Sequence, residues 1–339
     1  MSAFASPRVR LLALLAVSLA TSGRLAAQVS DQHEDANSFR TDAFFGTPNI
    51  HTPAPYANIF ATTPGLEQQA RRSLFTISGL TPLFYNSNPA ALSSGGTSSA
   101  EFSPVLGVSW STPVLDLPFR FTANVRAELD RFTQFPGLDF DKLAASARLQ
   151  YVDANNDQAY SPYIAYSPRW DFTPLYRNWF DTRQDLNFGI NKIFNFDAGF
   201  QRVAFSGDTF GQTVWSFGVT TVIQRRFRDP APGSWAAILV PSMTYVISPE
   251  FNLSAGVALE RRAFDSYYGF NQEDWLVEPI VTFEFVLPES WFGSAGTAAA
   301  LGRPAIDLQA AYEKNWSNLP AANFSAWHLG VAMKLGWRF

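Results

Sequence analysis

The sequence predicts an all-β protein: a transmembrane antiparallel β-barrel of about 12 strands, with 14 as the alternative count, behind an irregular N-terminal segment. Three observations predict it. Long stretches alternate apolar and polar side chains with period two, the spacing of a strand whose two faces meet different surroundings. Aromatic residues make up 15% of the 339 positions and charged residues only 16%, against about 25% charged in an ordinary soluble domain. Beyond the N-terminus no run approaches the roughly 18 continuous apolar residues of a membrane-crossing helix, so any crossing is made by strands.

The first ten residues carry Arg8 and Arg10 and no acid. LLALLAVSLA follows, then small residues up to Ala27. A charged start, a short greasy middle and a small-residue end make residues 1–27 a secretory signal peptide, with the mature chain starting near Gln28. As a membrane anchor, ten residues of helix would span only about 15 Å, half of a bilayer core. Residues 28–72 contain DQHEDANS and then Pro48, Pro53, Pro55 and Pro64, with little apolar periodicity. They read as an irregular periplasmic tail or as a plug folded back into a lumen.

Residues 73–339 form the strand array. Phe119–Asp130 is the clearest member: Phe119, Phe121, Ala123, Val125, Ala127 and Leu129 lie on one face, and Arg120, Thr122, Asn124, Arg126, Glu128 and Asp130 on the other. Residues 327–339 repeat this alternation, and residues 102–110, 143–151, 215–223, 251–262, 275–285 and 306–313 follow with less purity. Weaker strands lie near 74–85, 159–167, 184–196 and 236–247. Many run nine residues or more, longer than the usual five or six of soluble sheets and close to the 9–11 or so of a tilted membrane strand. Pro104, Pro162, Pro241 and Pro279 fall inside strands, where bulges or breaks are expected. The intervals 153–157 and 248–250 read as short periplasmic turns. The intervals 86–98, 168–183 and 264–273 read as external loops, the second long and aromatic enough to form a binding surface.

The apolar faces end in aromatics: Trp110, Tyr151, Trp215, Trp275, Trp327, Trp337 and Phe339. Such girdles belong where strands cross the two water–lipid interfaces. In a bilayer every backbone group must be bonded internally, so the sheet must close. The segment Leu335-Gly336-Trp337-Arg338-Phe339 ends an alternating strand on a terminal Phe. Here the sequence resembles Gram-negative outer-membrane β-barrel proteins at the level of the class, with no subfamily identified. That resemblance implies an outer-membrane location. It also implies that Trp337 and Phe339 form the signal read by the barrel-assembly machinery.

The polar faces would line the lumen with Arg120, Arg126, Arg148, Arg226, Arg262, Lys334 and Arg338, and with Glu128, Asp130, Glu260, Glu278, Glu284, Asp307 and Glu313. That balance points either to a salt-bridged interior or to a constriction with bases opposite acids. A net charge of −4 gives no footprint for nucleic acid. The absence of Cys removes disulfides and thiolate metal sites, and two of three His (His33, His51) lie before the strand array. No cofactor is expected. Outer-membrane phospholipases of twelve strands place a His and a Ser two residues apart on a strand, whereas Gly330 stands two after His328. The Asp153–Asp157 stretch has the alternating oxygens of a calcium loop but Gln158 where the turn Gly belongs. The expectation is therefore a protein that is not an enzyme: a narrow porin-like passive channel for small polar solutes. The alternative is a closed structural or adhesive barrel acting through external loops, and an outer-membrane lipid-modifying enzyme ranks last. The expected partners are outer-membrane lipid, the barrel-assembly machinery and a small polar solute.

Overall fold

A computed structural model describes residues 74–94, 96–115, 117–152, 160–202, 214–248, 250–266, 271–302 and 304–338. The signal peptide, the 28–72 segment, the 153–157 turn and Phe339 lie outside the described residues.

Thirteen described strands form one antiparallel sheet: β1 (Leu74–Asn86), β2 (Ser99–Phe102), β3 (Val105–Pro113), β4 (Phe119–Phe132), β5 (Phe140–Tyr151), β6 (Ser161–Phe172), β7 (Trp179–Phe196), β8 (Trp215–Asp229), β9 (Ser234–Val246), β10 (Phe251–Phe264), β11 (Glu273–Val286), β12 (Ala305–Ser317) and β13 (Phe324–Arg338). β2 and β3 are two halves of one wall strand, interrupted at Ser103–Pro104, and both pair with β1 and β4. The wall is therefore twelve strands round. β13 pairs with β1 from Thr76↔Arg338 to Asn86↔His328, which closes the sheet and leaves no edge.

The period-two pattern sorts the side chains as a lipid-facing barrel requires. Leu106, Val125, Ile223 and Leu308 point outward and are exposed, whereas Arg226, Arg262, Gln224 and His328 point inward and are fully buried. Two aromatic girdles bound the apolar band. At the end that carries the start of β1 and the end of β13, Trp215 stacks on Tyr245 (4.2 Å), Phe251 on Phe285 (4.6 Å), and Phe119 packs edge-on to Tyr151 (5.8 Å). At the opposite end stand Trp235, Trp275, Trp316 and Trp327, the last 4.7 Å from Tyr312. Amphipathic rings settle at such depths because one part of each is apolar and the other meets headgroups and water.

Two expectations need correction. The interval 168–183 is not a long external loop. β6 runs to Phe172 and β7 starts at Trp179, so only 173–178 connect them. The prolines, expected to bulge or break their strands, act more gently. Pro104 does break one strand. Pro241 and Pro279 instead keep their ladders to β8 and β10, through Val219↔Pro241 and Val257↔Pro279. Each opens the ladder on its other side for two residues without a register shift. Pro162 pairs with Ile190. The physical reason is that a strand residue points its N–H toward one neighbour only, so a proline removes one bond from one side.

The inward surface is not uniformly polar. At mid-height β6 and β8–β11 turn Tyr163, Ala165, Val222, Ala236, Ile238, Val240, Ala258 and Leu276 toward the axis as one buried apolar cluster. Across the barrel, β13, β1 and β3 supply Leu80, Phe84, Val105 and Ala332. Two glycines make room for inward rings. A Cβ at Gly330 would lie 2.2 Å from Phe84 and 2.8 Å from the Leu83 carbonyl, and one at Gly189 would lie 2.3 Å from Tyr163.

Candidate functional site in the barrel lumen

The charged residues gather in the half of the lumen remote from the chain termini, close to the ends of the strands. Four consecutive strands, β7 to β10, build one network. Arg226 grips Asp185 with two bonds, Nε to Oδ1 (2.9 Å) and Nη2 to Oδ2 (3.1 Å). Arg262 donates Nε to Glu260 (2.5 Å), Nη1 to the Ser234 hydroxyl (2.7 Å) and Nη2 to Gln224 Oε1 (2.9 Å). Gln224 also accepts from Arg226 (3.2 Å) and donates to Asn187 Oδ1 (3.0 Å). Nearer the rim, Arg228 donates to Asp181 (2.7 Å). Planar guanidinium groups suit this role because several donors diverge from one rigid plane.

A second network lies on β4 to β6. Lys142 Nζ sits between Glu128 (3.0 Å) and Asp130 (2.6 Å), and Arg169 holds Asp171 with bonds of 2.6 and 2.9 Å. Outside the wall, the 173–178 connection folds onto the rim: the Tyr176 backbone N–H donates to Asp141 (2.9 Å), which also pairs with Arg131 (2.5 Å). Burial pushes the Tyr176 phenol pKa up, and the carboxylates of Asp141 and Glu128 push it further.

The remaining arc differs. Among the described inward residues of this half, β11, β12 and β2 carry Asp274, Glu278, Glu313 and Glu101 and no Lys or Arg. Val277 faces Lys314 and Ile280 faces Ala311, so Glu278 and Glu313 lie across from one another on neighbouring strands. His328 Nε2 is 3.2 Å from Glu313 Oε2, with both residues fully buried. Glu101 accepts from Asn86 (3.0 Å) and Ser103 (3.2 Å), and Asp274 from Gln272 (2.7 Å). Neighbouring buried carboxylates favour a cation or a shared proton between them. The half nearer the termini is sparser in charge. Lys334 pairs with Glu284 and lies 3.7 Å from Asp307, Asn252 donates to Glu284 (3.1 Å), and Arg120 donates to the Ser111 hydroxyl (2.6 Å). The Arg148 guanidinium lies over the Tyr163 ring at 3.8 Å.

Of the residues named from sequence, Arg120, Arg126, Glu128, Arg148, Arg226, Glu260, Arg262, Glu278, Glu284, Asp307, Glu313 and Lys334 stand at inward strand positions. The Arg338 side chain lies outside the described ones. Trp337 is in β13, opposite Ile77, and its indole N–H donates to the Ala300 carbonyl (2.8 Å). The sequence reading missed Glu101, Lys142, Arg169, Asp171, Asp181, Arg183, Asp185, Arg228 and Asp274. For five of them a signal existed: charges alternate at 169 and 171 and again at 181, 183 and 185, in one phase on either side of the 173–178 connection.

A closed sheet whose apolar side faces outward, with charge along its axis and aromatic girdles at both rims, has the architecture of a transmembrane β-barrel. No protein-family model matches it, and no curated protein sequence does. Solved barrels are similar to it in fold. They include the translocator domain of the autotransporter NalP from Neisseria meningitidis, with 8% identity and a TM-score of 0.41 over 90% of this chain and 98% of that one. OmpT of Vibrio cholerae has 10% identity and a TM-score of 0.34 over 78% and 97%. LpxR from Salmonella typhimurium has 7% identity and a TM-score of 0.37 over 78% and 99%. One expectation is withdrawn: a barrel of this fold does not exclude catalysis, so the conclusion from sequence that the chain is not an enzyme does not stand.

Proposed function

We propose that the protein is a narrow outer-membrane channel for small polar solutes, with its selective constriction in the charged half of the lumen. The observation that carries this reading is the division of that half into two arcs. β4–β10 carry bases and acids in paired networks, and β11, β12 and β2 carry only acids among the described inward Lys, Arg, Asp and Glu. Unlike arcs facing each other set up a field across the path, and a ring with surplus carboxylate favours cations over anions. The connections at the end remote from the termini also favour a channel over an adhesin. None is longer than 87–98, which leaves little surface for a partner.

Planar-bilayer recording of folded protein tests this. The expected result is small, cation-preferring current steps whose preference falls toward unity in the pair Glu278→Gln and Glu313→Gln. Silence from the folded native chain would overturn the reading.

A further inference from the structure

The half of the lumen nearer the termini carries a row of neutral hydrogen-bonding side chains on six consecutive strands, β7 to β12. Asn195 lies opposite Ser216, Ser216 opposite Thr244, Thr244 opposite Ser254, Ser254 opposite Thr282 and Thr282 opposite Gln309. All six stand at inward positions, and none is more than 8% exposed. Two neighbouring pairs bond within the row, Thr244 with Ser254 (3.2 Å) and Gln309 Nε2 to the Thr282 hydroxyl (3.2 Å). The Ser216 hydroxyl has no hydrogen-bond partner. Further toward mid-height on the same two strands, Asn191 lies opposite Thr220, and neither the Asn191 side-chain amide nor the Thr220 hydroxyl has a partner. Burial shuts these groups off from bulk water as well, since Thr220 is 0% exposed, Ser216 1% and Asn191 4%. An unmet buried donor or acceptor is destabilising, and native folds hold few of them. Their concentration on β7 and β8 marks a surface that lacks its bonding partner.

We propose that this row, with the Asn191–Thr220 pair above it, binds a neutral, hydroxyl-rich solute of sugar size on its way through the lumen. The site is reached only along the lumen, so it rests on the channel reading and names the class of solute. Elimination selects that class. Among the described inward residues of β7–β10 from mid-height to this end there is no Asp, Glu, Lys or Arg. An ion seated there would lose its hydration against no counter-charge. On the flanking strands Glu284 and Asp307 share Lys334. A hydrocarbon would leave every amide and hydroxyl unmet. A sugar hydroxyl both donates and accepts, as the Ser and Thr hydroxyls and the Asn amides of this wall do. The C–H faces of the same solute have a matching surface beside the row, where Val222, Ile238 and Ala258 belong to the inward apolar cluster. β7 ends at Phe196 and β8 starts at Trp215, so Asn195 and Ser216 stand just inside the mouth on the side of the termini. A solute entering there meets the row at the entrance.

Saturation-transfer NMR on the folded full chain in detergent micelles, with glucose as the probe, tests this without any current. Glucose should give a transfer signal, and its charged analogues gluconate and glucosamine hydrochloride should give none. Combining Asn191→Leu, Ser216→Ala and Thr220→Val should weaken glucose binding by at least about tenfold. The same variant should keep the native midpoint of urea unfolding or raise it, because it removes polar groups that bond to nothing in the protein. No glucose signal from the native chain, equal signals from the charged analogues, or undiminished binding in the folded variant would each overturn the site. A lower midpoint in the variant would overturn it too, by showing that these groups hold the wall together. Glucose binding by a folded chain that passes no current leaves the site standing and defeats the channel reading. Cation-preferring current from a chain that binds no glucose does the reverse.

Discussion

At the scale of single residues the barrel depends on exact fits between unlike neighbours. Gly330 is the sharpest case, since Phe84 occupies the volume of its absent side chain and the nearby Leu83 carbonyl belongs to the backbone and cannot turn away. Gly330→Ala should therefore lower stability by about 1–3 kcal/mol through overpacking, read as an earlier midpoint of urea unfolding in vesicles. Arg226 is the matching polar case. Removing it leaves the buried Asp185 carboxylate with only the longer Arg183 contact (3.5 Å), and Arg226→Ala should cost up to about 3–5 kcal/mol in the same assay. The double variant Arg226→Met with Asp185→Leu should recover much of that loss, because the larger cost is an uncompensated charge rather than a missing ion pair.

At the scale of elements the strands divide into those a sequence displays and those it hides. β4 and β13 alternate purely and were legible over nearly their whole length. β6 and β7 were cut short, because Pro168, Pro174 and a cluster of Trp and Phe looked like loop chemistry. The alternating charges of 169 and 171 and of 181, 183 and 185 carried the correct phase on either side of it. The apolar belt was illegible for a different reason. Trp235–Val240 is an unbroken apolar run with no period two, and it maps to a strand whose two faces are both apolar. Candidate site residues were legible wherever a charge sat in a clean alternation. The pairing among them, which depends on register and rotamer, was not. Outward positions make a prediction at this scale: Leu308→Arg, on the lipid side of β12, should cost about 2–4 kcal/mol if it lies near the bilayer midplane, measured by unfolding in vesicles.

At the scale of the whole molecule the two ends are unlike. The end bearing the termini has the long connections 197–214 and 287–304, the latter containing a short helix, Ala295–Ala300, and the exposed Trp291. At the other end 133–139, 173–178, 230–233 and 318–323 are brief, and 87–98 is the longest, followed by 265–272. Proteolysis follows exposed, extended connections. Protease added outside intact cells should therefore cut at most within 87–98 or 265–272, while protease admitted to the periplasm should cut within 197–214 and 287–304, with fragments mapped by mass. Cleavage from outside within the short connections would contradict the orientation. A closed wall should also keep an unboiled sample distinct from a boiled one on a gel, and a single mobility would deny closure.

The seam between β1 and β13 has a consequence for synthesis and surveillance. The first strand finds its partner only in the last, so a prematurely terminated product lacking residues 324–338 has two raw margins and no means of joining them. Hydrocarbon offers those bare amides nothing to bond with. Such a fragment has no stable resting place in the bilayer and is left to degradation, so a late nonsense mutation should behave like loss of the whole gene product.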